Sequence, residues 1–143
     1  MKKNLFYVAN WKMNFSFKEE IKFAESNKNN FLKLSENKNV VLCPSFISLH
    51  QINKIFENSK IKIGAQNCSN QKKGAFTGQV SAQSISEAGC SYCIIGHSET
   101  RREQHDTNQD ISEKFNLLIK NQITPIICIG ENKKENDQDK TLD

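Results

Sequence analysis

Long apolar runs are absent from this sequence of 143 residues, which argues against a membrane-spanning helix and against a secretory signal. No run approaches the ~20 consecutive apolar residues that a membrane-spanning helix requires. The amino terminus reads Met-Lys-Lys-Asn, and only five apolar residues, 5–9, follow before Asn10. That segment is too short for the apolar core of a secretory signal. We therefore expect a cytoplasmic protein with no membrane partner.

A dense basic surface is also missing. The sequence has 20 Lys and Arg residues against 16 Asp and Glu residues, a formal net charge of +4, and its lysines are spread out without interleaved aromatic residues. A modest positive surface attracts anionic small molecules at least as well as it attracts nucleic acid. We therefore expect no nucleic-acid partner.

A disulfide framework is not indicated either, because the five cysteines are odd in number and scattered. Cys90 and Cys93 form a C-x-x-C pattern, but no second pair or histidine set accompanies them. If both residues lie in one strand, their odd separation points them to opposite faces. We predict structural thiols and no bound metal.

The residues that are present fit a single domain over 1–143, since hydrophobic residues make up 36% and charged residues 25% of the sequence. Short apolar runs predict strands, and apolar residues at helical spacing predict the helices between them. The predicted strands are 5–9, 40–43, 61–65, 93–95 and 125–129. The predicted helices are one that begins after Ser16, then 48–57, 81–88, a first turn from Ser98, and 107–121. The charged segment 132–143 could start a further helix or be a solvated tail.

Alternation of strands with helices predicts a parallel sheet with right-handed crossovers. Polar side chains follow the predicted strand ends, and these ends meet at one edge of such a sheet. They are Asn10, Lys12, Gln66, Asn67, His97, Glu99 and Glu131. Ligands bind at this edge in a β/α barrel. A doubly wound open sheet is the rival, but it usually has a glycine-rich loop after its first strand, where this sequence reads Asn-Trp-Lys.

His97 stands where a buried strand meets a helix start, in the stretch Cys93 to Glu99. The positive end of a helix disfavours imidazolium, and a backbone N–H that donates to Nδ1 needs a ring lone pair that imidazolium lacks. Our hypothesis is a neutral His97 that donates from Nε2 to a substrate oxygen. A histidine with a purely structural role is the alternative, and an NMR titration that finds the ring charged at pH 7 would favour it.

Four motifs in order carry a family resemblance: Ala-Asn-Trp-Lys-Met-Asn (9–14), Gly-Ala-Phe-Thr-Gly (74–78), Ile-Ile-Gly-His-Ser-Glu (94–99) and Ile-Cys-Ile-Gly-Glu (127–131). With these motifs the sequence resembles the N-terminal part of triosephosphate isomerase. The resemblance implies an α/β fold, the (β/α)8 TIM barrel, of which about five of eight βα units are present. It also implies interconversion of dihydroxyacetone phosphate and D-glyceraldehyde 3-phosphate in glycolysis and gluconeogenesis, without a cofactor.

The resemblance also assigns roles to single residues. His97 is the electrophile that polarises the substrate carbonyl, and Glu99 supports it. Lys12 supplies positive charge to the phosphate and to the enediolate, and Asn10 hydrogen-bonds substrate oxygens. Trp11 is expected to be a packing residue.

The loop of Phe76, Thr77 and Gly78 resembles the family's dimerisation loop, which implies a homodimer; a mobile surface loop is the alternative. The sequence departs from the usual family pattern at a few positions. These are Ala9, Gln79, Thr100 and Asp106.

The family's glutamate base follows a sixth strand, and no Tyr-Glu-Pro-like motif occurs in this sequence. Glu99 and Glu131 do not replace it, because Glu131 reads better as a structural acid at a strand end. We expect a fragment that is inactive alone and that aggregates or folds poorly. The alternative is a non-catalytic half-barrel that binds anions or pairs with a full-length subunit.

Overall fold

A five-stranded parallel sheet forms the frame of the molecule, and a computed structural model describes it over residues 5–131. The strands lie side by side in the order of the chain, whereas a doubly wound sheet reverses its order at a switch point. This order is that of a barrel wall, so the doubly wound alternative is excluded. The strands are β1 (Phe6–Asn10), β2 (Asn39–Cys43), β3 (Lys62–Ala65), β4 (Tyr92–Ile95) and β5 (Thr124–Ile127).

Helices connect the strands, as the alternating pattern predicts. They are α1 (Phe17–Ser35), α2 (Leu49–Ile55), α3 (Ala82–Glu87), α4 (Ser98–Glu103) and α5 (Asn108–Lys120). The first helix begins after Ser16, as predicted, and a capping box forms its start: a Glu19 carboxylate oxygen accepts the Ser16 backbone N–H at 2.8 Å. One prediction is only partly correct: residues 46–48 form a 3-10 turn, here called the 46–48 turn, ahead of a shorter α2. The predicted segment 132–143 lies outside the described residues.

Gly89 follows α3 at the position where glycine commonly ends a helix. Its φ of +92° is a left-handed conformation that residues with a Cβ avoid. A Cβ at this position would also lie 2.1 Å from the Asn53 side-chain nitrogen. The turn into β4 therefore requires glycine twice over, for its backbone and for its space.

The main core lies between the sheet and its helices, and Trp11 is buried in it, as predicted. The opposite face of the sheet carries only a small buried cluster of Val41, Cys43 and Ile94. Both edge strands expose apolar side chains, with Val8 of β1 39% and Ile127 of β5 46% accessible. The described chain, residues 5–131, is thus an open half-barrel whose two edge strands are exposed.

The five cysteines are all free thiols, and four of them are buried. Cys90 precedes β4 instead of lying in it, so the argument from alternating faces is wrong: Cys90 and Cys93 both belong to the main core. Burial raises the pKa of the Cys43 and Cys90 thiols to about 12. These properties are those of structural thiols.

No helix within residues 5–131 combines the length and the apolar character needed to cross a bilayer.

Candidate functional site

A cleft of about 610 Å³ opens at the carboxyl edge of the sheet, and it brings together most of the predicted site residues. Strand ends place Asn10, Lys12 and His97 in its wall, and the first turn of α4 adds Glu99. Gln66 and Asn67, which follow β3, also line it. Glu131, by contrast, is not among the residues that line this cleft. We call this space the Lys12 cleft.

His97 is aimed into the Lys12 cleft by a turn at Gly96, whose φ is +69°. The backbone N–H of Glu99 donates to His97 Nδ1 at 3.2 Å, which requires a lone pair on that nitrogen and leaves Nε2 as the donor of a neutral ring. A carboxylate oxygen of Glu99, Oε2, also lies 3.4 Å from the same nitrogen. The neutral ring therefore stays a prediction, and α4, with six residues, provides only a short helix dipole in its favour.

Lys12 and Glu99 form an ion pair across the floor of the cleft, with Nζ and Oε1 2.8 Å apart. The hydrogen bond from Lys12 holds the pKa of Glu99 below its ordinary value, and the positive charges of Lys12 and Arg102 act in the same direction. Glu99 therefore remains a carboxylate, which accepts hydrogen bonds and cannot donate one. This arrangement fits a supporting role for Glu99 beside Lys12 and His97.

The backbone of Lys12 is left-handed, with a φ of +54°, which is uncommon for a residue other than glycine. Two hydrogen bonds hold this backbone, and a third joins the same Gln66 amide to the end of β2. Asn10 Oδ1 accepts the Lys12 N–H at 3.0 Å, and Gln66 Nε2 donates to the Lys12 carbonyl at 2.9 Å and to the Cys43 carbonyl at 3.0 Å. Side chains from the ends of β1 and β3 thus fasten Lys12 to the end of β2. Sequence reasoning placed Gln66 at the functional edge and missed this contact.

A buried ion pair supports the neighbouring wall. Lys114 Nζ donates to both carboxylate oxygens of Asp106, at 2.7 and 2.6 Å, and to Asn67 Oδ1 at 3.0 Å. Asn67 in turn donates to Gln104 Oε1 at 3.0 Å. Helical spacing on α5 gave no sign that Lys114 is buried, since a lysine between apolar positions normally faces solvent.

The loop 68–80 is closed at its base and projects at its tip. Ser69 donates its N–H to the Val80 carbonyl at 2.8 Å and its hydroxyl to Gln79 Oε1 at 2.5 Å. Asn70 ties the base to α5 through Asp110 and Glu113. Its tip exposes the predicted dimer residues Phe76, Thr77 and Gly78. The base of the loop is therefore fixed, and the dimer contact of its tip stays a prediction.

The chemistry of the Lys12 cleft is that of anion and oxyanion binding. An ammonium group and an imidazole face the same space, and such donors stabilise negative charge that develops on oxygen. Among the described residues, no group of three or more His, Cys, Asp or Glu side chains is arranged to hold a metal ion.

Comparison with known proteins shows which family the chain is similar to. The family model described as triosephosphate isomerase matches residues 5–143. The triosephosphate isomerase of Aquifex aeolicus is 40% identical over 138 residues, which are 94% of this chain and 54% of the relative. That of Dictyoglomus turgidum is 41% identical over 134 residues, 94% of this chain and 53% of the relative.

The crystal structure of triosephosphate isomerase from Bartonella henselae superposes with a TM-score of 0.87 at 28% identity, and covers 98% of this chain and 57% of that chain. The five parallel strands are therefore part of a TIM barrel. The chain spans about half the length of the curated relatives it matches, consistent with the N-terminal part of the fold. On the family match, the sequence relatives and the shared fold, this chain belongs to the triosephosphate isomerase family.

Proposed function

We propose that the chain forms the substrate-binding and electrophilic part of a triosephosphate isomerase, which interconverts dihydroxyacetone phosphate and D-glyceraldehyde 3-phosphate. The observation that carries the proposal is the convergence of Asn10, Lys12, His97 and Glu99 on one cleft. The same proposal includes a role in glycolysis and gluconeogenesis and a cytoplasmic location.

From dihydroxyacetone phosphate to the aldehyde, one proton moves from C1 to C2 and one from the oxygen on C1 to the oxygen on C2, through an enediolate. Abstraction of a proton beside a carbonyl builds negative charge on the carbonyl oxygen, and His97 Nε2 and Lys12 Nζ are the donors that meet this charge. One preorganised donor of this kind typically contributes about 3–4 kcal/mol to transition-state stabilisation. Asn10 binds substrate oxygens, and Glu99 keeps Lys12 in place by the 2.8 Å ion pair.

The base that abstracts the proton is assigned to the part of the family fold that this chain does not span. The resemblance puts that glutamate after a sixth strand, and within residues 5–131 the sheet has five strands. Loss of a positioned base costs typically 10²–10⁴ in rate. We therefore expect the 143-residue chain to bind triose phosphate weakly and to show no turnover.

Binding is tested on the 143-residue chain by NMR titration with dihydroxyacetone phosphate. Saturable shifts are expected at Asn10, Lys12 and His97, and Lys12→Met should abolish them because it removes the cation. Lys18→Met, an exposed lysine on α1, is the matched control and should titrate like the wild type. Saturable shifts confined to another surface would contradict the proposal.

Turnover is tested by joining residues 1–131 to the remaining part of the Aquifex aeolicus relative. The chimera should isomerise, and His97→Gln should reduce its kcat by about 10²–10³ through loss of one oxyanion donor. A folded chimera without turnover would contradict the assigned function. Turnover by the 143-residue chain alone would contradict the assignment of the base.

We also propose a homodimer that forms through the loop 68–80. Next to the Lys12 cleft, Met13 is 96% accessible and Ile47 is 72% accessible, which is high for apolar side chains.

The variant Thr77→Glu in the chimera tests the homodimer. It should yield monomers in sedimentation, because it places a charge in the contact. Gln83→Glu adds a charge at an exposed position of α3 and should leave the dimer intact. An unchanged dimer in Thr77→Glu would count against this role for the loop.

The second candidate is a non-catalytic half-barrel that binds anions or pairs with a full-length subunit. The exposed edges at Val8 and Ile127 favour it, because uncovered strand edges pair readily with other chains. An inactive chimera together with stable binding of the 143-residue chain to a full-length relative would support this candidate over the isomerase.

A further inference from the structure

Glu20 is a charged residue in an unusual place. It lies on the inner side of α1, and only 1% of it is accessible. Its carboxylate accepts the Ser45 backbone N–H at Oε1, at 2.8 Å, and the Ser45 hydroxyl at Oε2, at 2.6 Å. A buried carboxylate is costly unless it is hydrogen-bonded, and both oxygens are here committed to one residue.

The two hydrogen bonds fix the start of the 46–48 turn. Ser45 precedes the turn in an extended conformation, and its carbonyl accepts the Ser48 N–H at 3.1 Å, which closes the turn. Because the N–H of Ser45 has Glu20 as its partner, the direction in which the chain leaves β2 is set by a side chain 25 positions earlier.

The 46–48 turn places Phe46 at the carboxyl edge of the sheet. Phe46 lines the Lys12 cleft and also the adjoining cleft of about 480 Å³ next to the loop 68–80. The next residue, Ile47, lies on the exposed surface assigned above to the homodimer. The position of the 46–48 turn therefore bears on the wall of the substrate cleft and on the association surface.

We propose that Glu20 is a positioning residue of the Lys12 cleft: its buried carboxylate, through Ser45, sets the 46–48 turn and so the place of the Phe46 ring. The proposal deepens the proposed function, on which it rests for the ligand. Glu20 itself does not line the cleft, so its effect on a triose phosphate passes through Phe46.

The first measurement needs no ligand. In the 143-residue chain, Glu20→Met keeps the length of the side chain and removes both acceptors, so we expect faster hydrogen exchange of the Ser45 N–H and shifted Phe46 ring resonances. Glu20→Gln should largely restore both signals, because its amide oxygen accepts the N–H and its amide nitrogen donates to the hydroxyl. Glu25→Met, on the exposed side of the same helix, is the control and should resemble the wild type. Ser45→Ala is a milder variant, to be used if Glu20→Met does not fold, and should shift the same resonances less.

The second measurement is the dissociation constant of dihydroxyacetone phosphate. Glu20→Met and Phe46→Leu should each weaken binding, and their effects should be non-additive by about twofold or more, as for residues that act through one contact network. A wild-type chain that does not bind dihydroxyacetone phosphate would overturn the proposed function. In that case the inference about Glu20 would be decided by hydrogen exchange of the Ser45 N–H and by the Phe46 ring resonances. Lower stability in Glu20→Met, with exchange at Ser45, the Phe46 resonances and affinity all unchanged, would show that Glu20 is merely structural and overturn the inference.

Discussion

At the scale of single residues, the Lys12–Glu99 ion pair predicts that the free energy of unfolding depends on pH. The direction of the Glu99 pKa shift determines the sign of this dependence. Folding lowers the pKa of Glu99, chiefly through the hydrogen bond from Lys12. The stabilisation is therefore present above the unfolded pKa of Glu99 and is lost as the pH falls through the lower, folded pKa. Both side chains are nearly half exposed, so the effect on global stability is small.

The measurement is a titration of the Glu99 side-chain carboxyl carbon by NMR. Its midpoint should lie below that of an ordinary glutamate in the wild type and should rise in Lys12→Met, which removes the largest cause of the shift. Lys22→Met, on α1, serves as the control and should leave the midpoint in place. An equal midpoint in Lys12→Met and the wild type would show that the ion pair does not form in solution.

Gln66 supports a second prediction at this scale. Gln66→Met removes the amide that donates to the Lys12 and Cys43 carbonyls, while it keeps the length of the side chain. Lys12 should then relax from its left-handed conformation, because that conformation costs on the order of 1 kcal/mol or more and persists only when its surroundings hold it. The measurement is the Lys12 Cα and Cβ chemical shifts, which report φ. Gln109→Met on α5 is the control, and unchanged Lys12 shifts in Gln66→Met would contradict the prediction.

At the scale of elements, the strands were the most predictable part of the chain, and β2 and β4 are the best examples. Their runs of β-branched and other apolar residues are buried on both faces, so the sequence itself marks them to within a residue. The predicted end of β5 was two residues too late, because the ladder with β4 ends at the pair Ile95 and Ile127. The apolar run continues past that pair, where the Cys128 N–H still donates to the Ile95 carbonyl, so composition cannot reveal where the ladder ends.

Contacts between distant elements were not predictable. The 46–48 turn depends on Glu20, and the left-handed Lys12 depends on Gln66 at a separation of 54 residues. Lysine seldom adopts a positive φ, so no local sequence pattern predicts the left-handed backbone of Lys12. The motifs locate the site residues along the chain, but the hydrogen bonds that hold them arise only when the strand ends meet.

The buried ion pair that joins α5 to the segment before it gives a prediction about stability. Lys114→Met should destabilise the chain by about 3–5 kcal/mol, because Asp106 would keep its charge in a buried place without its main partner. Lys114→Met with Asp106→Leu removes both charges and should recover a large part of that loss. Chemical unfolding measures both variants, and Lys120→Met, at the exposed end of α5, is the control. A loss below about 1 kcal/mol in the single variant would mean that the pair is solvated.

At the scale of the whole molecule, the exposed sheet edges predict how the 143-residue chain behaves in solution. β1 and β5 offer unpaired backbone groups along apolar side chains, and such edges associate unless they are covered or charged. We expect concentration-dependent self-association in sedimentation.

The double variant Val8→Lys with Ile127→Lys should reduce this association while far-UV circular dichroism stays the same, because charge on an edge strand blocks pairing without removing buried contacts. Leu34→Lys places the same charge on an exposed apolar position of α1, away from the sheet, and should leave association unchanged. Equal association in all three proteins would mean that the edges are not what drives it, and that the apolar surface near Met13 and Ile47 is the better explanation.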